Sequence, residues 1–181
     1  MSRIGQALCR WMRRAMPALA IMVAVAGLWP ARAAEPLPPP QGDVLLTVAG
    51  QIGRSNSKNG EARFDRAMLE KLGLTEVVTS TPWHPKVMRF EGVLLRTLLS
   101  EVQARGSSLL ATAHNDYTAR LPVQDAERHD VILALRADDR DLTLRDMGPI
   151  FIIYPYDHDR TLKADGIYAR SVWQLRRLEV R

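Results

Sequence analysis

Gly148-Pro149-Ile150-Phe151-Ile152-Ile153-Tyr154-Pro155-Tyr156-Asp157 is the stretch on which the fold turns. From Ile150 to Tyr154 the run is apolar without alternation. A strand built from it turns neither face to water, which is the habit of a central strand covered on both sides. Residues 131–135, Val-Ile-Leu-Ala-Leu, read the same way. The chain therefore holds at least two fully buried strands, and the rest of the sequence has to cover them.

Working outward, residues 44–50 are apolar and β-rich, and form the first predicted strand. Residues 55–60, Ser-Asn-Ser-Lys-Asn-Gly, are turn chemistry, with Asn59-Gly60 its strongest dipeptide. Asp65 fits a helix N-cap, with Phe64 and Leu69 as a hydrophobic staple across it and Gly73 closing the helix. Strands are expected over 74–81, broken by Pro82 and Pro85, and over 87–90. Residues 93–105 carry Leu94, Leu95, Leu98, Leu99 and Val102 in a helical stripe that Gly106 ends. Residues 109–113 and 117–123 read as strands flanking His114-Asn115-Asp116. The end of the chain alternates Val172, Gln174, Leu178 and Val180, as a short helix or strand. Strands outnumber helices and do not alternate with them. The class is α+β, a single domain with a mixed β-sheet and a few short helices.

Residues 1–33 read as a signal peptide. Arg3, Arg10, Arg13 and Arg14 give a basic start, and an apolar core follows that is too short to span a bilayer comfortably. Ala31-Arg32-Ala33 then supplies a small-x-small cleavage pattern, placing the cut after Ala33 or Ala34. Arg13-Arg14 leaves a twin-arginine export route open beside the general one. Residues 34–43, with four prolines between Glu35 and Gly42, are expected to be a linker, and residues 44–181 the domain.

Cleavage changes the electrostatics. The whole chain of 181 residues has 25 basic and 20 acidic side chains. Five of those basic residues, Arg3 to Arg32, lie in the signal with no acidic residue, so the mature chain is neutral. It carries no electrostatic footprint for nucleic acid, and no stable membrane insertion is expected after cleavage. Cys9 is the single cysteine and leaves with the signal. The exported domain has neither a disulfide nor a thiolate metal site.

Four segments carry more polar and aromatic character than packing requires. They are Ser80-Thr81-Pro82-Trp83-His84-Pro85, Asn115-Asp116-Tyr117, Tyr154-Pro155-Tyr156-Asp157 and Arg170-Ser171-Val172-Trp173. Flat rings, carboxylates, an amide and a guanidinium suit a planar, nitrogen-rich heterocycle, because a carboxylate accepts two parallel N–H bonds from an aminopyrimidine edge. Each segment has a plainer reading as well. Trp83 and Trp173 fit a core equally well, Asn115-Asp116 is a good turn, and Tyr154-Pro155-Tyr156 fits a strand exit with solvated phenols. The histidines at 84, 114, 129 and 158 lack metal-ligand spacing, and no nucleophile motif surrounds Ser80 or Ser171.

At these same segments the chain resembles the molybdopterin-binding domain of the sulfite-oxidase superfamily. The likeness runs through Leu46-Thr47-Val48, Phe64-Asp65, Ser80-Thr81-Pro82-Trp83, Phe90-Glu91-Gly92-Val93, Asn115-Asp116-Tyr117, Gly148 to Pro155 and Arg170 to Trp173. The resemblance implies a sulfite-oxidase-like fold over nearly the whole domain. It also implies a molybdenum ligand, because the enzymes of the superfamily hold the metal through a cysteine near the end of the strand that here leads into residues 79–83. No cysteine stands there, and Ser or Thr replaces a soft thiolate poorly.

A smaller branch of short, exported, cysteine-free proteins is similar in just these respects. Its members are periplasmic regulators that bind a reduced pterin without molybdenum. They act on the periplasmic sensor domain of a membrane diguanylate cyclase or phosphodiesterase. The resemblance implies that role here, with a periplasmic location and a binding module rather than an enzyme. Trp83 would then stack the ring, with Tyr156 or Trp173 on the other side, and Asp116 would accept from its N–H groups. Asn115, Tyr117 and Arg170 would orient it. The alternative is a molybdopterin-dependent oxidoreductase or its subunit, and a decayed pocket that serves only as an interaction domain is the third reading.

Overall fold

Two five-stranded sheets build the domain, and the buried runs at 131–135 and 150–154 lie together in one of them. The computed structural model describes residues 35–181. The expected signal peptide, its expected cleavage point and Cys9 lie outside the described residues.

The first sheet has the order β2-β1-β10-β5-β6, with β1 at Leu46–Gly50, β2 at Ala62–Phe64, β5 at Ser108–Ala113, β6 at Thr118–Pro122 and β10 at Leu175–Val180. Only β1 and β10 run parallel, so this is the mixed sheet. The second sheet, with β3 (Leu74–Thr79), β4 (Met88–Leu94), β7 (Ile132–Ala137), β8 (Arg140–Asp141) and β9 (Phe151–Ile153), is antiparallel throughout. Helices α1 (Arg66–Lys71), α2 (Leu95–Glu101), α3 (Val123–Arg128) and α4 (Asp165–Tyr168) are short. Among the described residues no helix is long and apolar enough to cross a membrane.

Strand β7 explains its own composition. Leu133 and Leu135 pack into the larger core with Val93, Ile152 and Tyr154. Ile132 and Ala134 face the other way, into a second cluster with Phe90, Phe151 and Ile153. A strand with a core on each face must be apolar at every position.

Asp65 is the N-cap of α1, and its Oδ1 accepts from Met68 N at 2.8 Å. Its Oδ2 accepts from Gln41 N and Gly42 N at 2.6 and 2.9 Å, and the amides of Met68 first, then Gly42 and Gln41, hold its carboxyl below the ordinary range. The Pro-rich segment expected as a linker is therefore pinned to the domain. Leu37 is buried there, and its N donates to Ser55 O at 3.1 Å.

Two other expectations need correction. Val93 and Leu94 belong to β4, paired with Leu133 and Ile132, so α2 starts only at Leu95. Helix α3, which the sequence reading left out, has a single buried residue, Ala126, and so no apolar stripe to announce it.

Candidate functional site

The connection between β3 and β4 carries Trp83, and a carboxylate from a distant segment holds it in place. Asp157 accepts from Ser80 N at 2.6 Å and from Ser80 Oγ at 2.7 Å, while its own N donates to Thr79 Oγ1 at 3.1 Å. Lys163 Nζ lies 2.5 Å from the same carboxylate. The indole packs edge-on to Phe151 (ring centroids 5.4 Å) and Tyr168 (6.0 Å), and is tilted to Trp173 at 6.2 Å. Aromatic pairs at such separations are favourable.

Trp83, Tyr117, Tyr168 and Trp173 line a cleft of about 340 Å³ together with Asn115 and Ser171. The size suits a bicyclic ring. Asn115 Oδ1 accepts from Tyr117 N at 3.1 Å, so the turn expected there also contributes to the cleft wall. Tyr117 Oη donates to Ala169 O at 3.0 Å, tying the two rims. Trp173 is carried by a segment stitched to the second sheet, where Ile152 N donates to Val172 O and Leu175 N to Ile150 O.

Of the seven residues expected at the site, Trp83, Asn115, Tyr117 and Trp173 meet in this cleft, and three are placed otherwise. Asp116 sits at φ 64° in the turn, and its exposed carboxylate bonds Arg176 Nη2 at 2.5 Å instead of entering the cleft. The Arg170 guanidinium reaches Asp125 Oδ2 at 2.7 Å, the same oxygen that accepts from Tyr154 Oη at 2.7 Å. Burial, with Asp125 beside it, pushes the Tyr154 phenol far above its ordinary range, so it stays a donor. Tyr156 is fully buried. Its hydroxyl bonds Ser171 Oγ and its ring lies 5.1 Å from that of Tyr168, so it backs the cleft rather than facing a ligand. Burial also raises its phenol. Tyr168 and Ser171 line the cleft without having been singled out as ligand contacts. A tyrosine in a four-residue helix, α4, gives no periodic signal.

The Asp157 clasp makes a pH prediction. Lys163 first, then the Ser80 hydroxyl and amide, hold its carboxyl down from the ordinary 3.8 to about 2. A depressed carboxylate stabilises the fold above its unfolded pKa and loses that contribution as pH falls through the folded value. Asp157→Asn should therefore cost about 1 kcal/mol at pH 7, allowing for solvent screening of a partly exposed group. The gap between the two melting curves should close between pH 4 and pH 2. A gap that persists at pH 2 would mean that packing, not charge, holds the loop.

The residues at the end of β3 do not fit a thiolate-bound molybdenum. Thr79, Ser80 and Thr81 stand there, and their hydroxyls are already engaged, the first two with Asp157 and the third with His84 Nδ1 at 2.8 Å. No cysteine lies among residues 35–181. Among the described residues no three His, Cys, Asp or Glu side chains are grouped to hold a metal.

No curated protein matches the chain. Solved structures do, among them the sulfane dehydrogenase SoxCD from Paracoccus pantotrophus, at 19% identity and a TM-score of 0.55. The match covers 75% of this chain and 37% of that one, so the chain spans little more than a third of the larger protein's length. At that identity the likeness speaks for the fold alone. The family model described as the oxidoreductase molybdopterin binding domain matches residues 57–157, more than half of the chain, and the protein belongs to that family.

Proposed function

We propose that this protein is an exported, periplasmic pterin-binding regulator that takes a reduced pterin without molybdenum. It passes the ligand's presence to the periplasmic sensor domain of a membrane diguanylate cyclase or phosphodiesterase. The observation that carries the reading is the conjunction of an aromatic cleft, lined by Trp83, Tyr117, Tyr168 and Trp173, with hydroxyls where a thiolate would have to stand. The ring stacks on Trp83, and its polar edge meets the Asn115 amide and Ser171 Oγ. Asp116, engaged by Arg176, is not required. Signalling needs the pterin to favour one state of the complex, since equal affinity for both shifts nothing.

Family membership favours a second reading, a molybdopterin-dependent oxidoreductase subunit. One experiment separates the two: mass spectrometry of small molecules released from the exported protein, with metal analysis on the same sample. The regulator reading expects a pterin without molybdenum. Stoichiometric molybdenum with molybdopterin would overturn it in favour of the enzyme, and no pterin at all would remove both.

A further inference from the structure

Trp83 belongs to two clefts. Besides the ring cleft it lines a second one of about 630 Å³, floored by Met88, Leu142 and Met147 and rimmed by Lys86, Arg140 and Arg145. The carboxylates of this second cleft already have partners. Asp138 bonds Lys86 Nζ at 2.9 Å and Arg89 N at 3.1 Å. Asp141 bonds Arg66 at 2.6 Å and Arg136 at 3.1 Å, and Asp146 accepts from Thr143 Oγ1 at 2.6 Å. Arg140 and Arg145 are exposed and form no ion pair among the described residues. The rim thus carries two uncommitted guanidinium groups, the side chain best suited to a carboxylate.

Apolar surface flanks this charge. Val87, between Lys86 and Met88, and Leu144, beside Arg145, are each 55% exposed. Exposed aliphatic side chains next in sequence to the cationic rim residues Lys86 and Arg145 fit a protein contact. A small anion would use the guanidinium groups and leave Val87 and Leu144 unexplained.

We propose that this face docks the partner protein, which presents an acidic segment carrying an apolar anchor. The proposal rests on the regulator reading and adds the surface through which it works. Trp83 is common to both clefts, so a ring stacked on one side bears on the floor of the other. By linkage, pterin and partner must then change each other's affinity by the same factor.

Photo-crosslinking in the cell of origin tests the surface. Benzoylphenylalanine is placed in the full chain at Val87 or Leu144, with Lys58 in the 55–60 turn as control, and the crosslinked peptides are sequenced. Both test positions should capture the same membrane protein through an acidic stretch of its exported part, and the control should capture none. The double substitution Arg140→Glu, Arg145→Glu should lower the yield at least tenfold, and Arg140→Gln, Arg145→Gln several-fold. No adduct, a non-acidic crosslinked stretch, or a yield indifferent to both double variants would overturn the proposal. The same variants, titrated with a tetrahydropterin, should bind it as the unaltered protein does. If even the unaltered protein binds none, the regulator reading falls, while the crosslinks judge the surface separately.

Discussion

Trp83→Ala is expected to weaken tetrahydropterin binding by about two orders of magnitude. Stacking of a base on an aromatic side chain contributes about 1–3 kcal/mol, and the truncation also opens the cleft to water. A loss near 2.7 kcal/mol is about a hundredfold in affinity. The domain should survive, because the indole is half-buried and Phe151, Tyr168 and Trp173 remain to close over the gap. Its stability cost should be about 2 kcal/mol, below that of a fully buried tryptophan. Calorimetric titration checks the binding, and circular dichroism of the variant checks the fold. A folded variant with unchanged affinity would remove Trp83 from the site. Asp116→Ala provides the contrast. Its carboxylate is held by Arg176 outside the cleft, so its removal should leave affinity nearly unchanged.

That contrast shows where a sequence stops being informative. Trp83, Asn115, Tyr117 and Trp173 stand out as aromatic or amide residues in loops that packing alone does not demand, and they do converge. Asp116 and Arg170 look equally apt, but each is claimed by an opposite charge far along the chain, Arg176 and Asp125. Ion-pair competition of that kind has no local signature. The fold divides similarly. The apolar runs of β7 and β9 and the Asp65 cap are legible because a buried strand and a helix start each leave a local pattern. At Val93 and Leu94 the helical stripe is present in the sequence, yet pairing with β7 overrides it, as tertiary context does with weak propensities. The sequence is equally silent on the docking of residues 35–43, since the amides that Asp65 holds belong to Gln41 and Gly42 and carry no side-chain signal.

Gly92→Ala should destabilise the domain by about 4 kcal/mol. Glycine is needed here for close approach. The register between β4 and β7 shifts between Glu91 and Gly92, where one step on β4 spans two on β7, from Arg136 to Ala134. A bulge of that kind brings the backbones together. A Cβ at Gly92 would strike the Leu133 carbonyl oxygen and come within 2.5 Å of the Ala134 Cα. Side chains can rotate away from an intruding methyl, but these neighbours are backbone. Strand β4 also pairs with β3 on its other edge, through Thr75 opposite Gly92, so it has nowhere to retreat. Relief would require breaking the β4–β7 ladder, and with it the wall shared by the two cores. Against a typical total of about 5–15 kcal/mol, that loss would leave little stability. Urea denaturation reads the effect as a lowered midpoint. Because β4 continues from the Trp83 loop through Met88, ligand affinity should fall in the same variant at temperatures well below its melting point. An unchanged midpoint would mean that the two strands can part by the width of a methyl group, and that the glycine serves some need other than close packing.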